Sequence, residues 1–252
     1  MTISAIILAK NEKDNIAECI ESVKFVDEIN VIDDFSTDDT VKIAEKMGAK
    51  IYQRALDGNF AAQYNFALTM ATGDWILIID ADERVTPELK EEIRQVTTLN
   101  ERYGYKISYL NFAVGRPLYH GGWLSHSGLR LFPQGMVRYE GLVHSQMIHK
   151  LPLRTLKNYF LHYSYPTWEH YFKKFNSYTE LAAQENHKKG KQANFFGDIL
   201  LRPFFAFFKM YILRSGWRDG KIGLIMAVFH FFYTMTKYVK LYYMQNTMGG
   251  TK

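Results

Sequence analysis

Ile76-Leu77-Ile78-Ile79-Asp80-Ala81-Asp82-Glu83 is an apolar run that stops at two carboxylates one residue apart. Continuous Val/Ile/Leu runs of this kind fill strands buried on both faces of a parallel sheet. In open α/β sheets, ligands bind beyond the carboxyl ends of such strands. Asp80 and Asp82 therefore stand where a ligand belongs. Alternation along an extended chain puts them on one side and points Ala81 away. Two hard oxygen ligands suit Mg2+ or Mn2+ bridging a diphosphate. A strand end with solvated loop acids would read the same in isolation, so the flanking segments have to decide.

Those segments alternate between strand and helix signals. Ile3–Leu8 is a short apolar run that ends at Ala9-Lys10-Asn11-Glu12. Ile16, Cys19, Ile20 and Val23 then recur at helical spacing, with Asn11 or Asp14 as the expected cap. Glu28–Ile32 is the next strand, and it runs into Asp33-Asp34-Phe35-Ser36-Thr37-Asp38-Asp39-Thr40. Ser36 or Thr37 suits the start of a helix reaching Met47, with Gly48 just past its end. Lys50–Gln53 predicts a third strand and Phe60–Ala71 a helix. Trp75–Ile79 is the strand that carries the acids, and Pro87 opens a further helix at its favoured first position. This order predicts a parallel sheet with right-handed crossovers. Neither Gly-x-Gly-x-x-Gly nor a Walker A sequence is present, so the usual phosphate cradles are missing and a metal would have to hold a nucleotide diphosphate.

Ala5–Glu12, Val31–Thr40 and Gly73-Asp74-Trp75 leading into Asp80-Ala81-Asp82-Glu83, in this order and spacing, resemble the inverting family 2 glycosyltransferases. Phe60–Leu68, Leu129-Arg130-Leu131-Phe132, Gly141-Leu142-Val143-His144 and the later Gly216, Asp219-Gly220 and Gly223 resemble the bacterial lipopolysaccharide-core β-1,4-glucosyltransferase branch. The resemblance spans nearly the whole chain and is strongest over residues 1–95. It implies a GT-A, Rossmann-like, mostly parallel sheet flanked by helices, with a UDP-sugar as donor. It also implies residue roles. Asp34 contacts the uridine, and the backbone of Ala9, Lys10 and Asn11 lines the base pocket. Asp82 is the principal metal ligand. Asp80 and Ala81 lie near the metal or the donor sugar. Arg54 either approaches the diphosphate or is a solvated surface residue. Trp123 and Arg130 fall on the acceptor side, with a core role the alternative for Trp123.

An inverting transfer needs a base for the acceptor hydroxyl. The family places a Glu directly after the His of the Gly-x-Val-His segment, but this chain has Ser145 there, and Ser is no base unaided. Glu140 and His144 are the two nearest substitutes. His120, His126 and His149 lie in the same region, yet their spacing matches no zinc motif and the chain has a single Cys.

With 252 residues and 47% hydrophobic content, the chain can build one substantial domain and an appendage. We expect a catalytic domain over residues 1–155 and a helical appendage over 156–252. One cysteine excludes an internal disulfide framework and suits a reducing cytoplasm. Met1 leads into a polar Thr and a core strand, which does not read as a signal peptide. The net charge is +5 and the isoelectric point is near 9.0. No nucleic-acid motif accompanies that charge. The basic residues of the last third are instead interleaved with Phe and Tyr. Helices are predicted over residues 167–189, 195–214 and 219–246, and an apolar run over 222–236 is broken by His230. That run is short of the roughly 20 residues a spanning helix needs. Aromatic residues flanked by Lys and Arg characterise helices lying in a membrane interface, so residues 195–246 are expected to face a membrane surface; packing on the catalytic domain and spanning are the alternatives. The expected activity is metal-dependent inverting transfer of a hexose, with glucose favoured, from a UDP-sugar to a lipid-linked or cell-envelope saccharide. A polyprenyl-phosphate acceptor and a non-catalytic nucleotide-sugar-binding protein are the rival readings. The expected location is the cytoplasmic face of the cell membrane.

Overall fold

The computed structural model describes residues 1–99, 102–141 and 146–247. Its first part alternates as the sequence predicts: β1 (Ile3–Ala9), α1 (Ile16–Val23), β2 (Glu28–Asp33), α2 (Thr40–Lys46), β3 (Lys50–Gln53), α3 (Phe60–Met70) and β4 (Trp75–Asp80). Then follow β5 (Glu83–Val85), α4 (Pro87–Thr98), β6 (Gly104–Ala113), β7 (Arg116–Leu118), β8 (Ser125–Pro133), β9 (Val137–Glu140), β10 (Gln146–His149) and β11 (Leu153–Tyr165). The main sheet runs β3-β2-β1-β4-β8-β6-β11-β5, and β7 pairs with β6. β3, β2, β1 and β4 are mutually parallel. β8 turns antiparallel to β4, and β5 is antiparallel to β11. The sheet is thus mixed, with its parallel part at the N-terminal end of the chain. β9 and β10 form a separate hairpin.

Alternation along β4 shows why both faces are covered. Leu77 and Ile79 join Ile3, Ala5 and Ile7 against α1 and α4 in one apolar layer. Ile76 and Ile78 join Ile6 and Ile32 against α3 in the other. A strand sandwiched in this way must be apolar at every position, as Ile76–Ile79 is. α1 buries Ile16, Cys19, Ile20 and Val23, the predicted stripe. Thr86 caps α4 by accepting from the Leu89 amide, with Pro87 in the first turn. Two expected caps fall elsewhere. α1 begins after Asn15 and has no side-chain cap, while α2 begins after Asp39. Asn11, Ser36 and Asp38 are used instead to tie the two loops together.

The molecule divides into two compact units. The first comprises Met1–Tyr109 and Ser125–His162, the second Leu110–Leu124 and Tyr163–Lys252. The boundary near residue 155 therefore falls after His162, and Leu110–Leu124 goes with the C-terminal part. In the second unit, α5 (Trp168–Lys188) is followed by a continuous helical stretch, 195–213. Its centre is α6 (Arg202–Phe208), and its flanks are wound as π-helix. α7 (Gly220–Thr247) closes the unit after a short 3-10 turn.

At the amino ends of the parallel strands, Glu28 gathers donors from three other segments. It accepts from Ser4 Oγ at 2.5 Å, Lys50 Nζ at 2.7 Å and the Thr72 amide at 2.9 Å. Burial alone would raise this carboxyl, but those bonds overcome it and bring it from 4.5 down to about 2. A depressed folded-state pKa contributes stability that is full above the unfolded value and disappears as pH falls through the folded one. Glu28→Gln should therefore cost about 2–3 kcal/mol at pH 7. The difference from wild type should close as pH falls from 4.5 to about 2, as read by urea denaturation across that range. Parallel stability curves for the two proteins would contradict this role.

Candidate active site

The strand register brings the acidic segments to one edge. Leu8 lies opposite Asp80, and Ala9 lies opposite Asp33. The chain leaving β1 turns through Asn11 at φ +56°. The Asn11 amide donates to Ser36 Oγ at 2.9 Å, its side-chain oxygen accepts from the Thr37 amide at 2.8 Å, and the Glu12 amide donates to Thr40 Oγ1 at 2.8 Å. These cross-links fix the loops after β1 and β2 against each other. Asp33 is fully buried and accepts from the Ser36 amide and Gln53, which makes it a structural carboxylate. Asp34 faces the cleft side of the loop. Lys10 Nζ lies 2.7 Å from Asp34 Oδ2, and the Leu56 amide donates to Oδ1 at 2.9 Å. Those two donors hold the Asp34 carboxyl below the usual carboxylate range. Phe35 beside it is exposed and sits at φ +51°. Bulky residues rarely adopt that conformation, and strained positions of this kind cluster at functional sites.

The Asp80–Glu83 turn is clamped from beneath. Arg130, on β8, donates from Nη2 to Asp80 Oδ2 at 2.9 Å and to Glu83 Oε1 at 3.1 Å. Glu83 is buried, and its second oxygen accepts from the Asp80 amide at 2.9 Å. Arg84 donates to the carbonyls of Ala81 and Glu83, each at 2.8 Å. Burial raises the Glu83 carboxyl, and the Arg130 guanidinium acts against that rise. Asp82 meets a histidine from a distant strand. Its Oδ2 lies 3.2 Å from His162 Nε2, and β5–β11 pairing sets His162 opposite Glu83. Tyr109 packs edge-on against that imidazole at 5.2 Å. Burial lowers the His162 pKa, but the Asp82 carboxylate outweighs it and the net direction is upward.

The structure thus brings Ala9, Lys10, Asn11, Asp34, Asp80, Ala81, Asp82 and Arg130 to one edge of the first unit. Arg54 is partly buried, donates to Gln63 Oε1 at 2.5 Å and lies over the Phe66 ring at 5.7 Å. Glu140 is exposed at the end of β9 and pairs with Arg138 at 2.7 Å. Val137 and Tyr139 on the same strand are buried, so alternation turns Glu140 to the opposite face. His144 and Ser145 lie outside the described residues. Trp123 belongs to the second unit, half-buried with its ring 6.1 Å from that of Tyr165.

Sequence reasoning missed His162 and the bridging role of Glu83, because neither carries a local signal. His162 is 80 residues from Asp82, and only the β5–β11 pairing joins them. Among the described residues, no group of three or more His, Cys, Asp or Glu side chains is arranged to enclose a metal ion. One oxygen of Asp80 is committed to Arg130.

The model of the family described as Glycosyl transferase family 2 matches residues 4–134, from β1 through β8. The chain belongs to glycosyl transferase family 2. It is 30% identical to an uncharacterized glycosyltransferase of Rickettsia felis, over 95% of this chain and 89% of that one. It is 27% identical to the lipopolysaccharide core biosynthesis glycosyltransferase LpsC of Rhizobium meliloti, over 96% of this chain and 92% of that one. Among solved structures, it is similar to the glucosyl-3-phosphoglycerate synthase of Mycobacterium tuberculosis in complex with Mn2+, UDP and glucosyl-3-phosphoglycerate. That likeness has 26% identity and a TM-score of 0.36, and it covers 45% of this chain and 44% of the other.

Proposed function

We propose that this glycosyltransferase moves a hexose, with inversion, from a UDP-sugar to a lipid-linked or cell-envelope saccharide, and that a divalent metal assists. The observation that carries the reading is the meeting of Asp34 and Asp82 at the carboxyl edge of one parallel sheet, with Lys10 between the loops. Asp34 accepts hydrogen bonds from the uridine, and the exposed Phe35 ring offers it an apolar face. Asp82 and His162 would hold Mg2+ or Mn2+, which would neutralise the charge developing on the departing diphosphate. Arg130 and Glu83 keep the Asp80–Asp82 turn rigid, so that this site is organised before the donor arrives. In the transfer, the acceptor oxygen bonds to the anomeric carbon and the bond from that carbon to the diphosphate oxygen breaks. The acceptor proton passes to a base, for which Glu140 and His144 remain the two candidates. The similarity to LpsC favours an envelope glycan as acceptor.

The second unit supports a membrane location. Phe196, Leu201 and Phe204 are 70%, 67% and 64% exposed. Phe205, Phe208, Leu213 and Trp217 in the same stretch are exposed as well. Arg202, Lys209, Arg214 and Arg218 are interleaved with them. Residues 216–246 are long and apolar enough to cross a membrane by length and composition. α7, however, packs along α5, where Lys240 Nζ lies 3.3 Å from Glu180 and bonds Asn176 and Thr179. A helix tied to a polar neighbour in this way suits an interface better than a bilayer core. We infer that the unit lies on the cytoplasmic face of the membrane.

Two experiments test these readings. Asp82→Ala should abolish transfer from radiolabelled UDP-hexose to membrane extract, and EDTA should do the same to the wild type, with the circular dichroism of the variant unchanged. Equal kcat/KM in both proteins and indifference to EDTA would sink the metal assignment. In flotation, the protein should rise with anionic liposomes at low salt and be partly released by high salt, which screens the basic component. Protein left in solution at low salt would contradict membrane docking. Release by detergent alone would favour a spanning α7.

A further inference from the structure

The helical stretch 195–213 of the second unit is wound in an uncommon way. At both ends its amides reach back five residues instead of four. The Arg202 amide donates to the Gly197 carbonyl, and the Arg214 amide donates to the Lys209 carbonyl at 2.9 Å. Only α6, between these ends, is ordinary α-helix. π-Winding is rare, and where it occurs it is frequently found at functional sites.

The winding decides where the side chains point. Ile199, Pro203 and Met210 are buried. The stretch runs antiparallel along α7: the Phe195 ring lies 6.2 Å from that of Tyr242, Arg202 lies 5.1 Å over Tyr238, and the Phe204 ring lies 5.0 Å from that of Phe231. Phe196, Leu200, Phe204, Phe208 and Ile212, each four residues from the next, are all exposed. In a uniform α-helix each step of four overshoots a full turn by about 40°, so this row would wind about 160° around the axis from first to last. In the π-wound ends more than four residues complete a turn, so a step of four falls short there. The lag at the ends cancels the lead in α6. The row therefore stays on one side as a straight ridge, with Leu201, Phe205 and Leu213 exposed beside it.

The chemistry of this face selects what covers it. Phe, Leu and Ile carry no hydrogen-bonding side-chain group, so the ridge gains only by leaving water. The exposed charged residues of 195–213 are Arg202 and Lys209, both basic. They stand seven residues apart, two helical turns, and so share a flank. Arg202 pairs at 2.7 Å with Asp198, whose side chain is largely buried. Exposed Arg214, Trp217 and Arg218 continue the alternation past the end of the stretch. A lipid surface meets both demands at once. Its acyl region takes the ridge, and its phosphates take cations whose long apolar stems reach up to them. Trp at the margin of such a surface is the usual interfacial anchor.

We propose that the π-wound ends are a membrane-docking device: they straighten an apolar ridge from Phe196 to Ile212 that sinks into an anionic lipid surface, with the helix axis in the membrane plane and Arg202 and Lys209 on lipid phosphates. The inference rests on the reading that the second unit lies on a membrane, and it adds which segment enters and how it lies. Cys19, the single cysteine, is buried, and burial pushes its thiol up, so it is unreactive. Phe196→Cys, Phe204→Cys and Ile212→Cys in the full chain can therefore each carry one polarity-sensitive fluorophore. With vesicles of phosphatidylcholine and phosphatidylglycerol, all three labels should shift to the blue by the same amount, and a label on Lys209→Cys should shift less. Arg202→Gln combined with Lys209→Gln should weaken partition onto these vesicles about tenfold at low salt, with circular dichroism unchanged. A shift that fades from Phe196 to Ile212 would overturn the straight ridge. Unshifted labels on protein that floats with the vesicles would overturn the ridge and leave the membrane location standing. Protein that binds no vesicle would overturn both. A blue shift that needs no lipid and grows with protein concentration would assign the face to a second copy of the chain and overturn the lipid reading.

Discussion

The guanidinium of Arg130, lodged between Asp80 and Glu83, is the interaction on which the rest of the first unit depends. A turn carrying Asp80, Asp82 and Glu83 within four residues repels itself, and one of the three carboxylates is buried outright. Removing one partner of a buried ion pair typically costs about 3–5 kcal/mol, because a charge is left uncompensated. Arg130 brings its compensating charge from β8, which pairs antiparallel to β4. The antiparallel half of the sheet thus makes it possible for the parallel half to end in acids. Arg130 thus satisfies Asp80 and Glu83 from within, while Asp82 lies 3.2 Å from His162.

Charge compensation is divided in the same way across the β2 loop. Asp33 is spent on holding the loop, while Asp34 is presented with Lys10 beside it. Adjacent identical residues therefore do different work because alternation sends one inward and one outward. Glu28, at the far end of β2, gathers the amino ends of the strands, so that each end of the parallel sheet has its own polar clamp.

Much of this was legible in the chain. The apolar runs at 3–8 and 76–79 and the mixed strand segment 28–32, each followed by polar or acidic residues, dictate the strand ends, and the Ile16–Val23 stripe dictates α1. Local rules misplaced the caps of α1 and α2, since Asn11 and Ser36 are used in long-range bonds between loops rather than in their own helices. The antiparallel strands, the hairpin β9–β10 and the exchange of Leu110–Leu124 into the second unit rest on pairings between distant segments, for which a single sequence carries no period. His162 and Asp219 show the same limit. Each acts through a partner, Asp82 or His120, that is 80 or 99 residues away, and neither stands in a motif that names that partner. In the C-terminal third the helices were legible, but the aromatic residues that pack inside the unit could not be told from those that lie bare on the surface.

The central claim is that the strand-end carboxylates receive a nucleotide diphosphate together with a metal. Titration calorimetry of UDP, with and without Mg2+ or Mn2+, tests it most directly. The wild type should bind UDP more tightly with the metal. Asp34→Ala should lose about tenfold to a hundredfold in affinity, the worth of charge-assisted hydrogen bonds of about 1.5–3 kcal/mol. UDP affinity that is indifferent both to the metal and to the loss of the Asp34 carboxylate would contradict the account.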